Sequence, residues 1–146
     1  MKRMIIYAMS RRLRDIGADL DSKGQKVIDH LIKLYLYPNS KDVNHWKQEI
    51  YNFIHCVDSI KGKHKTPSAS FIYDNIYGKY NINYTNHSIN ATLDDYGDPE
   101  FDFDYNSIHQ FISEYVEWLS VELNQKEVLS RKSIYAKLDS MMESRW

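Results

Sequence analysis

The sequence predicts an all-α, single-domain bundle of five to six helices over residues 1–146, with a long loop or small β element at 80–105. Three observations carry this expectation. Apolar residues recur at helical spacing through most of the chain, most clearly at Trp46, Ile50, Phe53 and Val57. Helix-ending residues separate these stretches, above all Pro38 and the glycines. The stretch weighed for a strand is short, Tyr80, Ile82 and Tyr84 alternating with asparagines. A chain of 146 residues buries roughly 68–70% of its unfolded surface, enough for a core without staples.

The first helix is expected to carry Ile5, Met9, Leu13, Ile16 and Leu20, with Gly17 weakening its end. A second runs from about Ser22 to Tyr37, with Val27, Leu31 and Leu34 on one stripe and Ile28, Ile32 and Tyr35 beside it. Pro38 cannot continue it and biases Tyr37 away from helical geometry. The third spans about Lys41 to Lys61, where Val43, Trp46, Ile50, Phe53, Ile54 and Val57 form an apolar face. An exposed basic loop, Lys61 to Lys65, follows.

Thr66 and Pro67 suit an N-cap and first helical position. They open a stretch in which Tyr73, Tyr77, Tyr80 and Tyr84 would share one helical face, fraying near 80–85. Residues 86–105 then read as a long loop, punctuated by Asn90, Gly97 and Pro99. Asn106 or Ser107 caps a fifth helix carried by Ile108, Ile112, Tyr115, Leu119 and Leu123. Asn124 with Glu127 resembles a capping arrangement for a last helix to about Met142, its stripe being Val128, Tyr135, Leu138 and Met142.

Charge is segregated along this chain. Residues 1–66 hold 13 Lys/Arg against 7 Asp/Glu, and residues 67–146 hold 6 against 13, although the net charge is only −1. Between Lys79 and Lys126 there is no lysine or arginine and there are nine acids, six of them between Asp94 and Asp104. Such segregation acts on partner choice and association rate rather than on fold. The single cysteine, Cys56, excludes an internal disulfide and is expected to be a buried thiol in a reducing compartment. A basic N-terminus followed at once by Arg11, Arg12 and Arg14 is not a signal peptide, so cytoplasmic residence is the expectation, with no membrane partner.

The residue spacings that catalysis or metal binding needs are not found. The six histidines form no His-x-x-x-His or His-Glu-x-x-His pair, so neither metal nor cofactor is expected. His30, His45, His55 and His109 fall inside predicted helices as core-edge or surface residues. Arginines 3, 11, 12 and 14 are followed by no histidine until His30, unlike the arginine–histidine pairs of all-α ribonucleases, and no glycine-rich phosphate loop exists. Counted as a calcium loop from Asp98, the sixth position is Phe103 where glycine is needed, and the twelfth is His109 where glutamate is needed.

Asp98-Pro-Glu100-Phe-Asp102-Phe-Asp104 makes better sense as an extended contact arm. Its acids would project to one side, spaced by roughly 6.6–6.8 Å, while Phe101, Phe103 and Tyr105 tether the other. The expected partner-binding residues are Asp94, Asp95, Tyr96, Asp98, Glu100, Phe101, Asp102, Phe103, Asp104 and Tyr105, with Tyr77 and Tyr84 as exposed anchors. A nucleic-acid surface built from Lys2, Arg3, Arg11, Arg12, Arg14, Lys61, Lys63 and Lys65 is the weaker alternative, since the pI is near 6.6.

His30-Leu31-Ile32-Lys33, Pro38, Trp46 and Ile50 resemble part of a helical bacterial domain of unknown function, number twenty-nine in its series, with a slightly longer proline-to-tryptophan spacing. The resemblance covers residues 30–50 and implies a helical fold of bacterial or phage origin without a known activity. In general character the chain is similar to immunity proteins of contact-dependent growth inhibition systems. That likeness implies a non-enzymatic inhibitor whose partner is a cognate protein toxin, a nuclease with a basic active-site cleft.

Overall fold

Leu36 closes a first helix of 35 residues that begins at Lys2 and would measure about 52 Å end to end. The computed structural model describes residues 2–61, 67–78, 81–125 and 128–144, and the side chains of 16–57, 67–78, 82–125 and 128–144. Six helices are present and no strand occurs among the described residues. They are α1 (Lys2–Leu36), α2 (Val43–Lys61), α3 (Ala69–Tyr77), α4 (Asn81–Tyr96), α5 (Tyr105–Leu123) and α6 (Arg131–Glu143). The all-α expectation therefore holds, and the described residues 81–105 carry no β element.

The two helices expected before Pro38 are one. Gly17 does not end a helix; with Gly24, seven residues on, it forms a shallow notch into which α3 settles. A Cβ at Gly17 would lie 2.9 Å from Asn75 Oδ1, and one at Gly24 would lie 2.9 Å from Ile76 Cγ2 and 3.1 Å from its Cα. α1 is thus a spine, in contact with α2, α3, α4 and α5, while α6 closes against α2 and α5.

Helical periodicity decides which residues enter the single continuous core. Leu31, Ile32 and Leu34 of α1, Trp46 and Ile50 of α2, and Ile108, Ile112 and Tyr115 of α5 are all buried. Cys56 is exposed, contrary to expectation, because it lies two residues, some 200°, from Ile54 on the buried face of α2. The last helix buries Ile134, Leu138 and Met141 rather than a stripe through Val128, which is exposed and precedes the helix.

Caps fall elsewhere than the sequence suggested. Ser68 caps α3, accepting from the Phe71 N–H, and Pro67 stands outside the helix. Ser130 caps α6 by accepting from the Ser133 N–H, while Asn124 ends α5 and donates its side-chain amide to the Pro67 carbonyl, 2.7 Å. Thr66, Tyr80, Glu127 and residues 62–65 of the basic loop, like the N-terminal basic side chains, lie outside the described residues, while Lys61 ends α2.

Residues 86–96, expected as loop, are the greater part of α4. The inner face of this helix is Thr85, Ser88, Ile89 and Thr92, all buried at i, i+3, i+4 and i+7. Three of the four are small and polar, so the stripe carries almost no hydropathy signal. It docks by hydrogen bonds: the Asp29 carboxylate of α1 accepts from the hydroxyls of Tyr84 and Ser88.

Candidate functional site

The acidic stretch begins on α4 and not in a loop. Asp94, Asp95 and Tyr96 form its exposed last turn, in which no basic residue stands. Carboxylates at a helix C-terminus oppose the macrodipole, at roughly 0.3–1 kcal/mol each for surface groups. Gly97, at φ +84°, ends the helix by donating its N–H to the Leu93 carbonyl, 2.8 Å. That left-handed conformation is what requires glycine, since a Cβ there would meet nothing within 4 Å.

From residue 98 exposure alternates along the chain, although the backbone bends at Glu100 and Phe101 and is not the continuous extended arm expected. Asp98, Glu100, Asp102 and Asp104 are exposed, while Phe101 and Phe103 are half-buried. Phe101 meets Tyr35 edge-on, ring centroids 6.1 Å apart, and Phe103 packs against the core and beside Tyr105. Among the described residues, none of Asp94, Asp95, Asp98, Glu100 and Asp102 is in an ion pair; the pairs formed are Lys47–Asp139 and Lys137–Glu114.

Asp104 does a different job. It is the N-cap of α5 and accepts from the Asn106 N–H at 2.7 Å, which displaces the expected caps Asn106 and Ser107. Such a cap is worth about 0.5–2 kcal/mol. Tyr105 opens the helix, exposed, with its hydroxyl donating to Asn90 Oδ1.

Tyr77 and Tyr84 do not serve as exposed anchors. Tyr77 is 7% exposed and its hydroxyl is hydrogen-bonded to His109 Nδ1, whose ring in turn meets Asn86 Oδ1 at 2.7 Å through Nε2. Tyr84 is half-buried and donates to both oxygens of Asp29 at 3.0 Å. Burial pushes both phenols up to about 12, reinforced at Tyr77 by Tyr73 and at Tyr84 by Asp29 and Asp21. A helical stripe continuing from Tyr73 through Tyr84 is interrupted after Tyr77, where α3 ends.

Sequence reasoning missed Tyr35 of α1 and Tyr37, just beyond its end, which complete this surface. Tyr37 packs against Tyr96 in a tilted pair, ring centroids 5.4 Å apart, and its hydroxyl donates to the Gly97 carbonyl. Partial burial, then the nearby Asp98, raises its pKa. Tyr96 also meets Trp46 edge-on at 5.8 Å and carries Lys33 Nζ 5.6 Å from its ring centroid. Nothing local in the sequence marks Tyr35 and Tyr37, since their partners lie some sixty residues away.

No group of His, Cys, Asp and Glu side chains among the described residues is arranged to hold a metal ion. No described helix is long and apolar enough to cross a membrane. No family model, curated protein or solved structure matches this chain.

Proposed function

We propose that the protein is a non-enzymatic binding protein whose surface from Asp94 to Asp102 masks a basic partner. In its strongest form it is an immunity protein that occupies the basic cleft of a cognate bacterial toxin, a nuclease, in the cytoplasm. One observation supports this above others: five exposed carboxylates stand without counter-ions among the described residues, on a segment whose aromatic side chains tie it to the helices. A merely solvated face needs no such tether. Charge complementarity of this kind accelerates encounter, with rates up to about 10⁸–10⁹ per molar per second at low salt.

The test is a triple reversal, Asp98→Lys, Glu100→Lys and Asp102→Lys, made in a chain co-expressed with the product of the gene immediately upstream. Asp104 is spared because it caps α5. The variant is expected to keep its helical circular dichroism and to lose both binding and protection. Normal binding by the variant would remove the acidic segment from the interface.

A further inference from the structure

Hydrogen bonds hold α4 in the bundle more than apolar burial does. Among its described side chains only Ile89 is both apolar and buried, and Leu93 is half-buried against the core. The other buried positions are Thr85, Ser88 and Thr92. By contrast α5 buries Ile108, Ile112, Val116, Leu119 and Leu123. Apolar area removed from water is the main force that keeps a helix docked, so α4 is held far more weakly than α5.

Polar bridges take the place of that burial. On α1, the Asp29 carboxylate accepts from Ser88 and from Tyr84, whose hydroxyl lies 3.0 Å from both its oxygens. On α5, His109 Nε2–H donates to Asn86 Oδ1 at 2.7 Å, and its Nδ1 accepts from the Tyr77 hydroxyl of α3. Tyr105 donates to Asn90. Each bond is exchanged for one to water when the helix leaves, so the net hold of each is small. Nor would the helix persist undocked. It contains four asparagines and two threonines and ends on Asp94-Asp95-Tyr96, which leaves Ala91 and Leu93 as its strong helix formers. Its last residue is anchored differently, because Tyr96 packs on Tyr37 and Trp46 just before the left-handed Gly97.

We propose that α4 is a releasable helix. Residues 82–93 undock and unwind together, while α1, α2, α3, α5 and α6 stay folded and Tyr96 holds the hinge. Release uncovers α1 around Asp29 and the buried Ile32, one turn further along the same side. The fold thereby has a second conformation that it reaches without unfolding, by melting one segment. This device rests on the bridges and the thin apolar face of α4, and is independent of whether the acidic segment meets a partner.

Native-state amide hydrogen exchange of the full chain, followed by nuclear magnetic resonance at low urea concentrations, tests it. Amides 85–93 are expected to exchange about a hundred-fold faster than the slowest amides of α5. They should also share one urea dependence, shallower than that of α5, because a single helix exposes less surface than the whole fold. Asp29→Asn keeps the size of the side chain and removes its charge. It should speed exchange of 85–93 by about ten-fold and leave the slowest amides of α2 and α5 within about two-fold of the wild type. Amides 85–93 that exchange at the rate and urea slope of α5 would show that α4 opens only when everything unfolds, and would overturn the proposal from the wild-type protein alone. Amides that each follow a different urea dependence would mean fraying in place of a unit, and would overturn it too. Asp29→Asn accelerating all helices alike, or none, would remove the bridge to α1 as what holds α4.

Discussion

The Tyr37 hydroxyl donates to the carbonyl of Gly97, tying the end of α1 to the turn that closes α4. Removing it by Tyr37→Phe leaves the ring against Tyr96 and should cost about 0.5–1.5 kcal/mol. Amide exchange at Asp98 and Glu100 should quicken at the same time. Unchanged exchange there would mean that ring packing alone holds the turn.

Gly24→Ala should destabilise the fold by about 1–3 kcal/mol through overpacking, outweighing the roughly 0.5–1 kcal/mol that alanine gains over glycine within a helix. Its Cβ would press on the Ile76 backbone as well as its side chain, so α3 itself must move. At Gly17 the obstacle is the end of the Asn75 side chain, which can swing aside, so Gly17→Ala should be the milder change. Urea midpoints in the reverse order would contradict the notch.

Tyr115 is fully buried in α5, and its hydroxyl has no hydrogen-bond partner among the described residues. Burial accordingly raises its pKa. An unmet buried polar group costs about 1–3 kcal/mol, so Tyr115→Phe should raise stability by roughly 1 kcal/mol. A loss on denaturant unfolding would reveal a partner for the hydroxyl.

Stability should depend on pH at both ends. Burial lowers the pKa of His109, and that of His30 despite the raising effect of its bond to the Lys26 carbonyl. The unfolded chain therefore takes up these protons first, and stability should fall as pH drops below about 6.5. On the alkaline side Tyr77 and Tyr84, raised to about 12, stay neutral in the fold while unfolded phenols ionise near 10. Stability should fall again as pH rises between those values. Thermal midpoints measured across both windows check this, and His109→Gln should flatten the acid side; an unaltered acid slope would exclude His109 as its source.

Where burial follows apolar spacing, the fold was legible: the stripes through Trp46 and Ile50 in α2 and through Ile108 and Ile112 in α5 enter the core as their periodicity implies. α4 was not legible, because Thr85, Ser88 and Thr92 bury small polar faces that look like loop chemistry. Gly17 looked like a terminus because a glycine cut to admit another helix and one that ends a helix are the same letter. In the candidate site, alternation of polar and apolar residues placed Asp98, Glu100 and Asp102 outward and Phe101 and Phe103 inward, even though the backbone bends at 100 and 101. The inward turn of Tyr77 and Tyr84 depends on His109 and Asp29, partners fixed only by tertiary packing.

Asp94 and Asp95 at the negative end of α4 set thermal endurance against recognition. A lysine at either position would suit the helix dipole and harden the turn. The same exchange would place a positive charge on the face proposed to meet a basic partner. Selection for heat resistance alone would therefore erode this surface, and a screen for more stable variants should return changes at these two positions together with weakened partner binding.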